Sequence, residues 1–293
     1  MITLRGAGVS AKIKEEAQKT VKTLRQTPKL AIVRVGDNPA DISYETGALK
    51  KTRSFGLEAE SFVYPADIAH EAFKEQFLRI NADPSIHGIL LMRPLPKQIR
   101  QQEIEHLIDP GKDLDGISPV NIAKVFCGDE TGFAPCTAEA VIACLKAEGI
   151  AAEGKRAVVV GRSMVVGRPL AMLLLRENAT VTICHTRTAN LEETCREAEI
   201  LAVCAGRAKM IDRRFVRDGA VVLDVGINVD EDGRLCGDVD FEDIADTAAC
   251  ATPVPGGIGA VTTAVLAAHL VRAAARQEAG AGLHTKTSRN GGV

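Results

Sequence analysis

The stretch Val158-Val159-Val160-Gly161-Arg162-Ser163-Met164-Val165-Val166-Gly167-Arg168-Pro169 decides the fold. A short β-branched run feeds a glycine turn, and proline opens the segment that follows, so the reading is buried strand, tight turn, helix. The unpaired N–H groups and partial positive charge at such a helix start suit a pyrophosphate, and glycine lets a ligand approach the backbone closely. The spacing is Gly-x-Ser-x-x-x-Gly rather than Gly-x-Gly-x-x-Gly, so the turn takes its weight from the strand and helix around it.

Downstream, a helix over Pro169 to Glu177, a strand over Thr180 to Cys184, a helix over Asn190 to Ala198 and strands over Ile200 to Cys204 and Ala220 to Val225 complete a nucleotide-type alternation. A carboxylate ending the second strand would accept from the ribose hydroxyls of NAD. Here Ile183-Cys184-His185-Thr186-Arg187-Thr188 offers none and has cationic groups nearby, which favours the 2'-phosphate of NADP and leaves NAD open. Arg162 is a second candidate phosphate contact.

Upstream lies a similar alternation: strand Leu30 to Val35, helix Asp41 to Ser54, strand Glu60 to Tyr64, helix Glu71 to Ile80 and buried strand Gly88 to Leu91. Turn clusters at Gly36-Asp37-Asn38-Pro39 and Arg93-Pro94-Leu95-Pro96 fall at carboxyl ends of strands, where parallel sheets bind ligands. Asp109 to Pro135 shows little periodicity. It precedes a helix expected to be capped at Thr137 and to end near Gly149.

A chain of 293 residues has room for two domains. The fold class is therefore α/β, with a first domain over 1–136, a Rossmann-type parallel-sheet domain over 137–259, a helix over Thr262 to Arg276 that packs back on the first domain, and a disordered tail over 277–293. Only 3% of residues are aromatic, so the core is aliphatic, and a net charge of -2 provides no basic field for nucleic acid. No apolar run is read as long enough to span a bilayer, and no leader is recognised at Met1 to Ser10, so the expectation is a soluble cytoplasmic protein. The eight cysteines and six histidines are too dispersed for a metal site, and the thiols are expected to be reduced.

Several further segments carry a resemblance. Val35-Gly36-Asp37-Asn38-Pro39-Ala40 with Tyr44, Gly88-Ile89-Leu90 leading to Pro94-Leu95-Pro96, Lys112-Asp113-Leu114-Asp115-Gly116, Pro135-Cys136-Thr137, the glycine turn, Asp224-Val225-Gly226-Ile227-Asn228, Gly237-Asp238-Val239 and Thr252-Pro253-Val254-Pro255-Gly256-Gly257-Ile258-Gly259 stand in order along the chain. Together they resemble the methylenetetrahydrofolate dehydrogenase/cyclohydrolase (FolD-type) family from about residue 30 to 270. The resemblance implies a folate domain and an NADP domain flanking a cleft, usually in a homodimer. It implies oxidation of 5,10-methylenetetrahydrofolate to the methenyl form in one-carbon metabolism, followed by hydrolysis to 10-formyltetrahydrofolate.

Carried over by position, Gly161, Arg162, Ser163, Val166, Gly167, Thr186, Ile227 and Thr262 would bind the dinucleotide. Tyr44, Ala48, Met92, Asp115, Pro255, Gly256, Gly257, Ile258 and Gly259 would line the folate site, with Tyr44 and Asp115 closest to catalysis. Two positions depart from the family. The lysine four residues after the tyrosine is Ala48, and the glutamine before Pro-Leu-Pro is Met92, so the groups that would orient water and take its proton are missing. The expectation is a dehydrogenase with reduced or lost cyclohydrolase activity. The alternatives are a bifunctional enzyme in which Lys51, three residues from Ala48 on the same helix face, or Arg93 serves instead, and a non-catalytic folate- or nucleotide-binding paralogue.

Overall fold

The computed structural model describes residues 1–287. In chain order the elements are β1 (Ile2–Thr3), α1 (Gly6–Val21), β2 (Lys29–Val35), α2 (Pro39–Ser54), β3 (Glu58–Tyr64), α3 (His70–Ala82), β4 (Gly88–Leu91), α4 (Gln101–Leu107), α5 (Pro119–Cys127), α6 (Cys136–Ala147), β5 (Arg156–Val160), α7 (Gly167–Arg176), β6 (Thr180–Cys184), α8 (Leu191–Arg196), β7 (Ile200–Val203), β8 (Val221–Asp224), β9 (Asn228–Val229), β10 (Leu235–Cys236), β11 (Cys250–Ala251) and α9 (Ile258–Thr287).

The chain divides into two compact units, one of Met1–Lys12 with Lys124–Val265, the other of Ile13–Ala123 with the chain from Leu266 onward. The first unit carries a six-stranded parallel sheet in the order β1-β11-β8-β7-β5-β6. Its core joins Val158, Val160, Leu201, Val203 and Val222 to Cys184, Cys195 and Ile244. Continuous apolar runs are what parallel strands covered on both faces require. The second unit carries a three-stranded parallel sheet, β3-β2-β4, with Ala31, Val33, Ile89 and Leu91 packed on Phe73, Phe77 and Ile104. In both sheets the chain leaves one strand in one direction and returns on its other side: β5 lies between β6 and β7, and β2 between β3 and β4. The carboxyl ends of β5 and β2 are therefore topological switch points.

Several expectations are corrected. Residues 124–136 pack with the nucleotide-type unit, and residues 1–12 join it because β1 pairs with β11. The stretch from Asp109 contains a helix, α5. The next helix starts at Cys136 after Pro135, with no side-chain cap, so Thr137 lies inside its first turn. Helix α7 begins at Gly167, two residues before the proline expected to open it.

The last helix is longer at both ends than Thr262 to Arg276. The supposed tail is helical through Thr287 because Gln277 donates to the His87 carbonyl and the Glu278 carboxylate accepts from the Arg25 and Gln26 N–H groups; residues 288–293 lie outside the description. Its stretch Ile258–Gly280 is long and apolar enough to cross a membrane, where no such run is expected from the sequence. The most apolar window of that helix is 67% buried within the protein, the condition of a core helix.

Candidate functional site

In the nucleotide-type unit, the turn after β5 is built by backbone packing. Gly161 has φ +135°, and a Cβ there would run into the carbonyl and thiol of Cys204; a Cβ on Gly167 would run into the Gly161 carbonyl. Both ends of the turn thus need glycine for space, and Gly161 also for its backbone angle. Ser163 accepts from the Val166 N–H through its hydroxyl and from the Arg168 N–H through its carbonyl, and α7 starts with no side-chain cap. Arg162, Ser163 and Arg168 are exposed. Beyond β6, Thr188 folds back to accept from the His185 N–H, and the His185 ring accepts from Arg187, which leaves Thr186 and Arg187 on the surface with no carboxylate at the strand end.

At the end of β8 the buried Asp224 accepts from the N–H groups of Gly226, Asp238 and Val239. Burial pushes its carboxyl up to about 7 despite those donors. The segment it anchors presents Ile227, 67% exposed, beside Pro253–Gly257, and these residues line a cavity of about 210 Å³. The loop is braced from below: Gly6 N–H donates to the Gly256 carbonyl, and Gly6 packs so closely on the Gly257 carbonyl that no side chain fits.

In the other unit, α2 starts behind Asn38, whose side chain accepts from the Ala40 N–H, with Pro39 in its first turn. The helix places Tyr44, Ala48 and Lys51 at spacings of four and three, so they follow one face. Ala48 is buried, as is Met92, which follows β4 directly and pairs its N–H with the Val33 carbonyl. Arg34, the next residue on β2, turns to the opposite sheet face from Val33, and its Nε lies 2.5 Å from Oε2 of the buried Glu45, one turn before Ala48. Burial, with the neighbouring Lys14 charge, lowers the pKa of Lys51.

The loop bearing Asp115 is set by Asp113, whose carboxylate accepts from Ile117 N–H, Ser118 N–H and the Asn121 amide. Arg93, at the end of β4, lies 3.1 Å from Glu105 and 3.7 Å from Asp115, so it is engaged with carboxylates of its own unit.

A family model described as the tetrahydrofolate dehydrogenase/cyclohydrolase catalytic domain matches residues 4–115, and the NAD(P)-binding domain of the same name matches residues 135–278. The chain belongs to that family. It is 52% identical to the bifunctional protein FolD of Carboxydothermus hydrogenoformans, over 92% of this chain and 96% of that one. The bifunctional FolD structure from Campylobacter jejuni superposes with a TM-score of 0.91 at 39% identity, covering 94% of this chain and 99% of that one. The Trypanosoma brucei methylenetetrahydrofolate dehydrogenase-cyclohydrolase, solved with NADP cofactor and an inhibitor, superposes at 0.88 with 31% identity, covering 94% and 98%.

Within each unit the expected residues fall into sets. Gly161, Arg162, Ser163, Val166 and Gly167 form one turn, while Ile227, Pro255, Gly256, Gly257 and Gly259 share one cavity. Ile258 and Thr262 are buried in α9, where the Thr262 hydroxyl donates to the Ile258 carbonyl. Among the described residues no group of three or more His, Cys, Asp or Glu could hold a metal, and all eight cysteines are free thiols. The sequence reading attached no role to Arg34, Glu45, Asp113, Asp224 or Asp238. The signal for the last two was a pair of quoted motifs, Asp-Val-Gly-Ile-Asn and Gly-Asp-Val.

Proposed function

We propose that the protein oxidises 5,10-methylenetetrahydrofolate to 5,10-methenyltetrahydrofolate with NADP, and that it hydrolyses the methenyl product slowly or not at all. The observation that supports the first part is a glycine cradle at the switch point of β5 together with a carboxylate-free end of β6. NADP, when bound, supplies the hydride acceptor. The residues present fit it: the Gly161–Gly167 turn leaves room for a pyrophosphate against α7, Arg162 and Thr186 are exposed for phosphate and ribose, and Ile227 offers an apolar surface.

In the folate unit, the Tyr44 ring lies against an aromatic part of the substrate and the Asp115 carboxylate accepts from the amino-pterin edge. Hydride loss leaves a cation stabilised by the substrate's own nitrogen lone pair, so the protein's contribution is positioning rather than proton transfer. Hydrolysis is different, because water must be oriented and a proton taken from it. Ala48 and Met92 do neither.

A second reading has one observation in its favour: Lys51, on the helix face of Ala48, has a lowered pKa, the direction a lysine base needs. One assay separates these. NADPH formation from methylenetetrahydrofolate is followed with NADP and NAD in parallel, and methenyltetrahydrofolate decay is followed against its spontaneous rate. The expected result is reduction of NADP with decay at the spontaneous rate. Accelerated decay that disappears in Lys51→Ala establishes the bifunctional reading, and failure to reduce either dinucleotide leaves the non-catalytic paralogue. We also propose a cytoplasmic homodimer, on the family's usual assembly and the free thiols; sedimentation equilibrium tests the assembly.

A further inference from the structure

Two buried aspartates to which the proposed function gives no role collect seven N–H donors at the carboxyl edge of the six-stranded sheet. Asp224 takes Gly226, Asp238 and Val239 at 3.0 Å each. Asp238 takes Ala205 at 2.6 Å, Gly206 at 3.0 Å, Arg207 at 2.7 Å and the Asn228 side-chain amide at 2.9 Å. The two are chained, since the Asp238 N–H is itself a donor to Asp224. They are also wedged reciprocally: a Cβ on Gly226 would run into the Asp238 carboxylate, and one on Gly237 would run into that of Asp224.

The segments tied together are the one leaving β7, the one leaving β8 and the one following β10. Ile227 stands between Gly226, bonded to Asp224, and Asn228, bonded to Asp238. Its own side chain is largely exposed, so packing does not place it, and the aspartates on either side do. Carboxylates that accept several backbone N–H groups are strong and directional anchors, and they fix loops that no secondary structure holds.

We propose that Asp224 and Asp238 are positioning residues for the dinucleotide: they hold Ile227 and the Ala205–Arg207 turn in the arrangement that receives NADP. This rests on the reading of Ile227 as a dinucleotide contact. The groups that Asp238 holds, the Ala205–Arg207 turn and Asn228, do not line the cavity that Ile227 shares with the Pro255–Gly259 loop, so loosening the Asp238 end of the lock acts on the dinucleotide before the folate substrate.

The test uses Asn228→Leu, which removes one donor at similar volume and leaves both carboxylates in place, beside Asp238→Asn, which turns an amide N–H₂ against bonded N–H groups. NADPH affinity is read by fluorescence titration, and KM is measured separately for NADP and methylenetetrahydrofolate. Asn228→Leu is expected to weaken NADPH binding and raise the NADP KM about tenfold, with the folate KM unchanged. Its ligand-free Tm is expected to stay within about 2 °C of the parent. Asp238→Asn is expected to do the same more strongly, and if it does not fold, Asn228→Leu carries the test. Equal rises in both KM values, or unchanged NADPH affinity in a folded Asn228→Leu, overturn the proposal. If the parent binds NADPH without oxidising methylenetetrahydrofolate, the proposed function fails on its own, and the affinity comparison still decides the aspartates.

Discussion

The two units build their sites from different materials. At the carboxyl end of β5 the surface is backbone: two glycines packed on carbonyls, a serine folded onto the next turn, and aspartates that hold neighbouring loops through N–H groups. At the carboxyl end of β2 it is side chains: Tyr44, Ala48 and Lys51 on α2, Met92 after β4, and the charged pairs Arg34–Glu45 and Arg93–Glu105. A backbone-built site resists change, because any added Cβ collides. A side-chain site can lose one reaction by two substitutions and leave the fold intact, and Ala48 and Met92 are the positions at which that can be tested.

The largest effect that would sharpen this contrast is a gain. Ala48→Lys with Met92→Gln is expected to accelerate methenyltetrahydrofolate hydrolysis about 10²–10⁴-fold, the range for a positioned acid or base. Absence of gain in a folded double variant would show that the folate site has diverged beyond two positions.

Next comes the charged pair under α2. Arg34→Met leaves Glu45 buried without its cation and is expected to cost about 3–5 kcal/mol in urea unfolding, and adding Glu45→Leu should return most of it. Equal stability of the single and double variants would mean that the pair is not a unit.

On the backbone side, Gly161→Ala forces a Cβ onto Cys204 and strains a φ of +135°; kcat/KM for NADP is expected to fall about 100-fold, with KM for the folate substrate little changed. A tolerated alanine would break the comparison at its strongest point.

The most gradual effect is pH dependence. Asp224 sits with its carboxyl raised to about 7, so the native state binds its proton more tightly than the unfolded chain does. Its contribution to stability is present below the ordinary carboxylate range and is lost as pH climbs from about 4 to about 7, on the order of 4 kcal/mol. Thermal melts of the parent against Asp224→Asn should diverge in slope over that window, and parallel profiles would show that Asp224 does not titrate there.

The longer parallel strands were readable because each is a compact run of aliphatic or β-branched residues: Gly88–Leu91 and Thr180–Cys184 match residue for residue. Helix ends were less so. Pro169 signals a helix start, yet α7 begins earlier, because a glycine packed on Gly161 already follows the helical path. Strand β1 has only two residues and no pattern to read; its existence depends on a partner far along the chain. The site divides the same way. Motif residues were visible because their order is distinctive, but Arg34–Glu45 exists only once β2 and α2 pack, and the Asp224–Asp238 lock only once three loop segments meet.

Strand β1 also sets a constraint in time. Ile2 and Thr3 are made long before their register partners, Cys250 and Ala251. The edge of the larger sheet therefore cannot be sealed until β11 has been made. Until β11 arrives, β8 has one bare side, and a bare strand edge is open to pairing with other nascent chains. The contact that closes the sheet also brings Gly6 under the Gly256–Gly257 loop, so the loop and its support come from distant stretches of the nascent chain.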